Sequence, residues 1–147
     1  MRYKRGLFII LTIIMALTSG FGISYAEEDT VFSDISGHWA EEIIKEAVDL
    51  KIVGGYPDGT YLPENLISRE EFYKLITNVL TVTPDTSDTK IQFSDVVKTE
   101  WYVPAIKIAV AAGITSGYGD GTFGIGLIIS RQEAAKVAGS VIPQDAP

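Results

Sequence analysis

The chain has 147 residues, 46% hydrophobic and 21% charged, a balance that suits a folded globular unit and excludes a disordered one. Its formal net charge is -7, and that acidity excludes wholesale binding to nucleic acid or to an anionic membrane, since both need a basic face. Cysteine is absent, so there is no disulfide frame, thiol nucleophile, cysteine zinc site or lipidated cysteine.

Met1-Arg2-Tyr3-Lys4-Arg5 is a basic start, and Leu7 to Leu17 is an almost unbroken apolar run. That run is short against the ~20 residues a membrane-spanning helix needs. Ser24-Tyr25-Ala26 supplies small residues where a signal peptidase reads, so residues 1–26 are read as a signal peptide and Glu27 as the first mature residue. Those 26 residues hold Arg2, Lys4 and Arg5 and no acid, so their removal takes the net charge from -7 to -10.

The mature chain is organised by a duplication. Gly54-Gly55-Tyr56-Pro57-Asp58-Gly59-Thr60-Tyr61, followed by Ser68-Arg69-Glu70-Glu71, returns as Ser116-Gly117-Tyr118-Gly119-Asp120-Gly121-Thr122-Phe123 and Ser130-Arg131-Gln132-Glu133. Tyr56 to Tyr118 and Arg69 to Arg131 are both 62 positions apart. Repeat one is placed at 27–80, a threonine- and aspartate-rich linker with Pro84 at 81–92, repeat two at 93–142 and a short tail at 143–147. No room is left for a separate catalytic domain.

Each repeat opens on an aromatic and a Ser-Asp pair, Phe32-Ser33-Asp34 and Phe93-Ser94-Asp95. Ser33, Asp34 and Ser36 are residue types whose side-chain oxygens cap the first turn of a helix, and Asp95 matches Asp34 in that role. A helix is expected from about Trp39 to Leu50, with Trp39, Ile43, Ala47 and Leu50 on its apolar face and Glu41, Glu42, Lys45 and Asp49 outside. Repeat two offers Trp101, Ala105, Ile108, Ala109 and Ala112, with Pro104 in the first turn and Gly113 at the C-cap. On this pattern both tryptophans are core residues first, with ring edges available to a groove.

Asp58-Gly59 and Asp120-Gly121 are strong turn dipeptides, and the flanking Tyr56 and Tyr61, or Tyr118 and Phe123, are placed to pair across a small hairpin. One acid per loop falls far short of a calcium site, and no metal or cofactor is expected. The second helices begin with Ser68…Glu71 and Ser130…Glu133, the spacing of a capping box. Their apolar faces are Phe72, Leu75, Ile76 and Val79, and the thinner Ala134, Val137, Ala138 and Val141. The class is mainly α, two tandem helix–short hairpin–helix units.

Phe-x-Asp, Trp-Ala, Gly-Tyr-x-Asp-Gly-Thr-aromatic and Ser-Arg-x-Glu in this order, twice, resemble the S-layer homology repeat, and the likeness covers Val31 to Ile142. The resemblance implies a pseudo-threefold helical bundle, incomplete with two repeats, that anchors a secreted protein in the bacterial cell wall or S-layer. The ligand it implies is a secondary cell-wall polysaccharide, often pyruvylated, or a modified peptidoglycan. It carries ligand contact onto Arg69 and Arg131, and secondarily onto Asp34 and Asp95, Trp39 and Trp101, and Gly55 and Gly117.

The residue chemistry agrees. A guanidinium grips a carboxylate bidentately, and an aromatic face suits the apolar side of a sugar. Repeat two departs from the pattern at Gly119 and at Gly124-Ile125-Gly126-Leu127, which favours Arg69 over Arg131, and Glu100 in place of His38 argues against an essential histidine. A wall-acting glycosidase would need paired carboxylates in an apolar pocket, but the recurring acids have caps or turns as their explanation, so an enzyme is not expected. An envelope assembly module that binds other repeat proteins is the alternative. Two repeats leave apolar flanks uncovered, so self-association or a partner chain with further repeats is expected.

Overall fold

The computed structural model describes residues 32–142; the signal peptide read at 1–26 and the tail at 143–147 lie outside them. Among the described residues four helices follow one another: α1 Glu41–Asp49, α2 Arg69–Asn78, α3 Val103–Ala111 and α4 Arg131–Val141. Among the described residues no strand forms, and the one bridge is the antiparallel contact of Ser68 with Ile128. The class is mainly α.

The second helix of each repeat starts where the chain supplies its own partners. The Ser68 and Ser130 side chains accept from the N–H groups of Glu71 and Glu133, whose carboxylates accept in return from the serine N–H groups. Such caps contribute ~1 kcal/mol each. The first helices start differently. Ala40 and Tyr102 are their N-caps and offer no side-chain bond, and Pro104 sits in the first turn of α3.

The capping role read for Ser33, Asp34 and Ser36 is therefore corrected, because all three lie in turns ahead of Glu41. Asp34 instead reaches 27 and 28 residues forward, accepting from the N–H groups of Tyr61 (2.9 Å) and Leu62 (2.7 Å). Asp95 does the same for Phe123, Gly124 and Ile125 at 2.8, 2.7 and 2.9 Å. A short carboxylate is the one acceptor that can gather two or three adjacent amides, so it clamps the segment leaving each turn.

The turns themselves form as expected. Tyr56 N–H donates to Thr60 O at 2.7 Å and Gly59 N–H to Tyr56 O at 3.0 Å, with Gly59 at φ 82°. Asp58 accepts from both the N–H and the hydroxyl of Thr60, and Asp120 repeats this with Thr122. The expected aromatic pairing across a hairpin does not occur. Tyr61 packs on Phe32 with ring centroids 5.4 Å apart, and Phe123 on Tyr73 at 5.1 Å and Phe93 at 5.7 Å. Tyr56 and Tyr118 instead send their hydroxyls to Glu71 and Glu133.

The main core lies between the repeats. Tyr73 and Ile76 of α2 meet Tyr102, Ile106 and Ala109 of α3, together with Phe123 and Val137 of repeat two. Among the described residues helix α1 touches no other helix; a small cluster of Phe32, Ile35 and Ile44 seats it on its own loops. The apolar face read for α1 is therefore corrected. Ile44 is the buried residue, whereas Trp39 is 81% exposed and Ile43 and Leu50 are each 63% exposed. Trp101 is also half exposed, so neither tryptophan is a core residue. Helical periodicity locates a stripe of side chains but not the neighbour that covers it.

Gly55 and Gly117 have a packing role. A Cβ at Gly117 would overlap the Phe93 ring and the Thr122 carbonyl, at a φ of 72° that disfavours other residues. A Cβ at Gly55 would likewise overlap Phe32 and the Thr60 carbonyl. Gly117→Ala is expected to lower the unfolding free energy by about 1–3 kcal/mol in urea titrations. Gly119→Ala, whose Cβ would meet no atom within 4 Å, should stay within about 0.5 kcal/mol of wild type.

Candidate functional site

Arg69, the strongest candidate contact in the sequence, lies inside the molecule at 5% exposure. Its place at the start of α2 points the side chain across the repeat boundary into the turn of repeat two. Nε donates to Phe123 O at 2.8 Å, one terminal nitrogen to Glu133 at 3.1 Å and the other to the Tyr73 hydroxyl at 3.3 Å. Three rings surround the guanidinium, with the centroids of Tyr118, Tyr73 and Phe123 at 4.7, 5.0 and 5.2 Å. A cation taken from water to this depth needs such compensation, and here all three directions of the fork are met.

Glu133 is the counterpart. The Ser130 hydroxyl, the Tyr118 hydroxyl and the Ser130 N–H, with the charge of Arg69 behind them, outweigh burial and hold its carboxyl down at about 2. One oxygen caps α4 while the other receives Tyr118 and Arg69, so the helix cap and the repeat junction are a single network. Neighbouring Glu70, also buried, accepts from Gly126 N–H at 3.0 Å and adds a second tie between the repeats.

Next to this junction a groove of about 550 Å³ opens between the turn of repeat one and the start of repeat two. Gly54, Gly55 and Tyr56 of the turn, Lys74 of α2 and Trp101 are among the residues that line it. Lys74 Nζ lies 5.2 Å from the Trp101 ring centroid. Glu71 lines the groove a turn before Lys74 and takes a 2.6 Å bond from Tyr56, whose hydroxyl it pushes up to about 12. A lysine ammonium beside a half-exposed indole and a glycine-rich wall can take a flat ring that carries an acid. Among the described residues no cluster of histidine or acids could hold a metal ion.

The comparisons with known proteins agree with this repeated architecture. The model of the S-layer homology domain matches residues 31–72 and 92–135, which is more than half of the chain. The chain belongs to the S-layer homology family. It is 37% identical over 93 residues to an amylopullulanase of Thermoanaerobacterium thermosulfurigenes, covering 63% of this chain and 5% of that protein. Against the surface-layer 125 kDa protein of Lysinibacillus sphaericus the figures are 33% over 106 residues, 72% and 9%. Against a cellulosome-anchoring protein of Acetivibrio thermocellus they are 36% over 72 residues, 49% and 16%. The chain thus spans a small fraction of the relatives it matches. No solved structure gives a significant match.

The inter-repeat groove brings two of the expected S-layer homology contacts together, Gly55 and Trp101. Asp34 and Asp95 are engaged in their loop clamps, and Gly117 lies beneath Phe93. Trp39 lies exposed in the turn ahead of α1 and does not line this groove. Arg131 is exposed and makes no hydrogen bond or ion pair among the described residues. Lys74 was not singled out in the sequence. The signal was present, since Lys74 and Lys136 each stand five residues after the repeat arginine, 62 positions apart.

Two measurements test the junction. Arg69→Ala leaves Glu133 without its cation and should destabilise the chain by about 3 kcal/mol, while Arg131→Ala should cost under about 0.5 kcal/mol. The acid side follows from Glu133. Its folded value is depressed from 4.5 to about 2, so its stabilisation is complete above 4.5 and is lost as pH falls toward 2. Thermal melts of wild type and Glu133→Gln should therefore differ most at neutral pH and converge across that window.

Proposed function

We propose that the chain is a non-covalent cell-envelope anchor, working at the bacterial cell surface by gripping an anionic wall polysaccharide in the groove between its repeats. The observation that carries this reading is the pairing of Lys74 with the half-exposed Trp101 opposite Gly55. The ammonium meets the acid of the sugar, and the indole takes the apolar side of the ring. A pyruvylated sugar supplies both features, since its ketal carries a carboxylate on an otherwise neutral ring.

Two further observations support an anchoring role. The cellulosome-anchoring relative is named for that task, and the shared segment occurs both in a surface-layer protein and in an amylopullulanase. A segment common to a hydrolase and a surface-layer protein is not what makes the first a hydrolase, so we read this chain as the non-enzymatic part. Its acidity does not preclude an anionic polymer, because charges beyond ~8 Å are screened at physiological salt and contacts within the groove decide the outcome. In this reading Arg69 serves the ligand from behind, by fixing the repeat junction that forms the groove.

Co-sedimentation with purified cell walls tests the proposal. Binding should be lost when the attached polysaccharide is stripped. Lys74→Ala should weaken it about tenfold, the effect of one charge-assisted bond. Binding that survives stripping would point to peptidoglycan, and none at all would point to a protein partner.

A further inference from the structure

The two repeats are equivalent in sequence but not in what covers them. Helix α3 packs against α2, and its Ala105 and Ala109 are 6% and 0% exposed. The corresponding face of α1 is bare: Ile43, the counterpart of Ala105, is 63% exposed. The same asymmetry holds for the arginine socket. Repeat two offers Tyr118, Phe123 and Glu133 to Arg69. Repeat one offers the equivalent Tyr56, Tyr61 and Glu71, and Glu71 has no ion pair among the described residues.

The other end of the chain carries the complement. Arg131 opens α4 as Arg69 opens α2, on the same capping box, yet it is exposed and unpaired among the described residues. Lys136 stands where Lys74 does, and Trp39 where Trp101 does, so a copy of the Lys74–Trp101 contact is also laid out at both ends. Side-chain volumes are exchanged rather than simply lost. Within the chain, large Tyr73 and Ile76 of α2 share a core with small Ala109 of α3. Between the ends, small Ala135 and Ala138 of α4 would face the larger Ile43.

We propose that these ends dock on each other in a second copy of the chain, repeating the internal junction head to tail. Arg131 of one copy enters the Tyr56–Tyr61–Glu71 socket of the next, and its Lys136 lies over the Trp39 of that copy. The contact is heterologous, since two different surfaces meet and each copy keeps one of each free. The socket residues Tyr56, Tyr61 and Glu71 also line the groove, so docking and the sugar compete for that end of it, and the sugar reading is tested on the undocked chain.

Sedimentation velocity of the wild-type chain over a concentration series should show reversible association. Arg131→Glu removes the tail and Ile43→Glu the head; both positions are exposed, and each change should weaken association by roughly thirtyfold or more. An equimolar mixture of the two variants should form a one-to-one dimer, because each retains the surface the other has lost. Should either variant lose its helical circular dichroism, Lys136→Glu and Leu50→Glu replace them. A wild type that stays monomeric at every concentration, or variants that do not complement, would overturn the proposal. Wall binding by a monomeric variant reports on the groove separately.

Discussion

The fold depends on one buried cation. Arg69 leaves the first turn of α2 in repeat one and ends among the rings and carboxylate of repeat two, with all three nitrogens bonded. A buried ion pair is not stabilising by default, since desolvation consumes much of the attraction. Here the carboxylate partner is already fixed by its helix cap and by Tyr118, so little further ordering is needed when the arginine arrives. The result is a directional joint. It specifies which face of repeat one meets which face of repeat two, something the apolar contacts of Tyr73, Ile76 and Ile106 could not do alone.

From that joint the remaining features follow. Holding α2 against α3 brings the turn of repeat one opposite Trp101, and the groove is the space left between them. The aspartate clamps act at shorter range. Asp34 and Asp95 fasten the segment after each turn to the start of its own repeat, and donated N–H groups hold both carboxyls below their ordinary range, against burial at Asp95. Each repeat is thus closed by an aspartate and joined to the next by an arginine. Such units stack through neighbour contacts only, so a terminal face stays bare unless something else supplies the next unit.

Much of the local structure was legible in the sequence. The Asp-Gly turns, Pro104 in a first turn and the two capping boxes are short-range features, fixed by residues within four positions of one another. What could not be read locally was direction. Helical periodicity grouped Trp39 with Ile43 and Leu50, but only the absence of a covering helix decides that they face solvent. Arg69 stands out in the sequence as a candidate contact, yet the Phe123 carbonyl and the Glu133 carboxylate that hold it lie 54 and 64 residues away. Asp34 was matched to the nearest helix start because capping is a local rule, whereas its amides come from the far side of the turn.

The two repeat arginines also bear on how one motif can hold a bundle together and still meet a ligand. A guanidinium that is packed between rings and bonded at three nitrogens cannot also grip an exposed carboxylate without surrendering the joint. Within this chain Arg69 acts as a fastener, and on the proposed reading the cation offered to a polymer acid is Lys74, five positions later on the same helix and lining the groove. Arg131, which has no fastening partner among the described residues, is the exception that fits the rule: it has the residue type of the joint and only lacks a socket to enter. On that reading fastening and binding are divided between two cations on one helix, and the repeat that follows in space supplies the socket for the first of them.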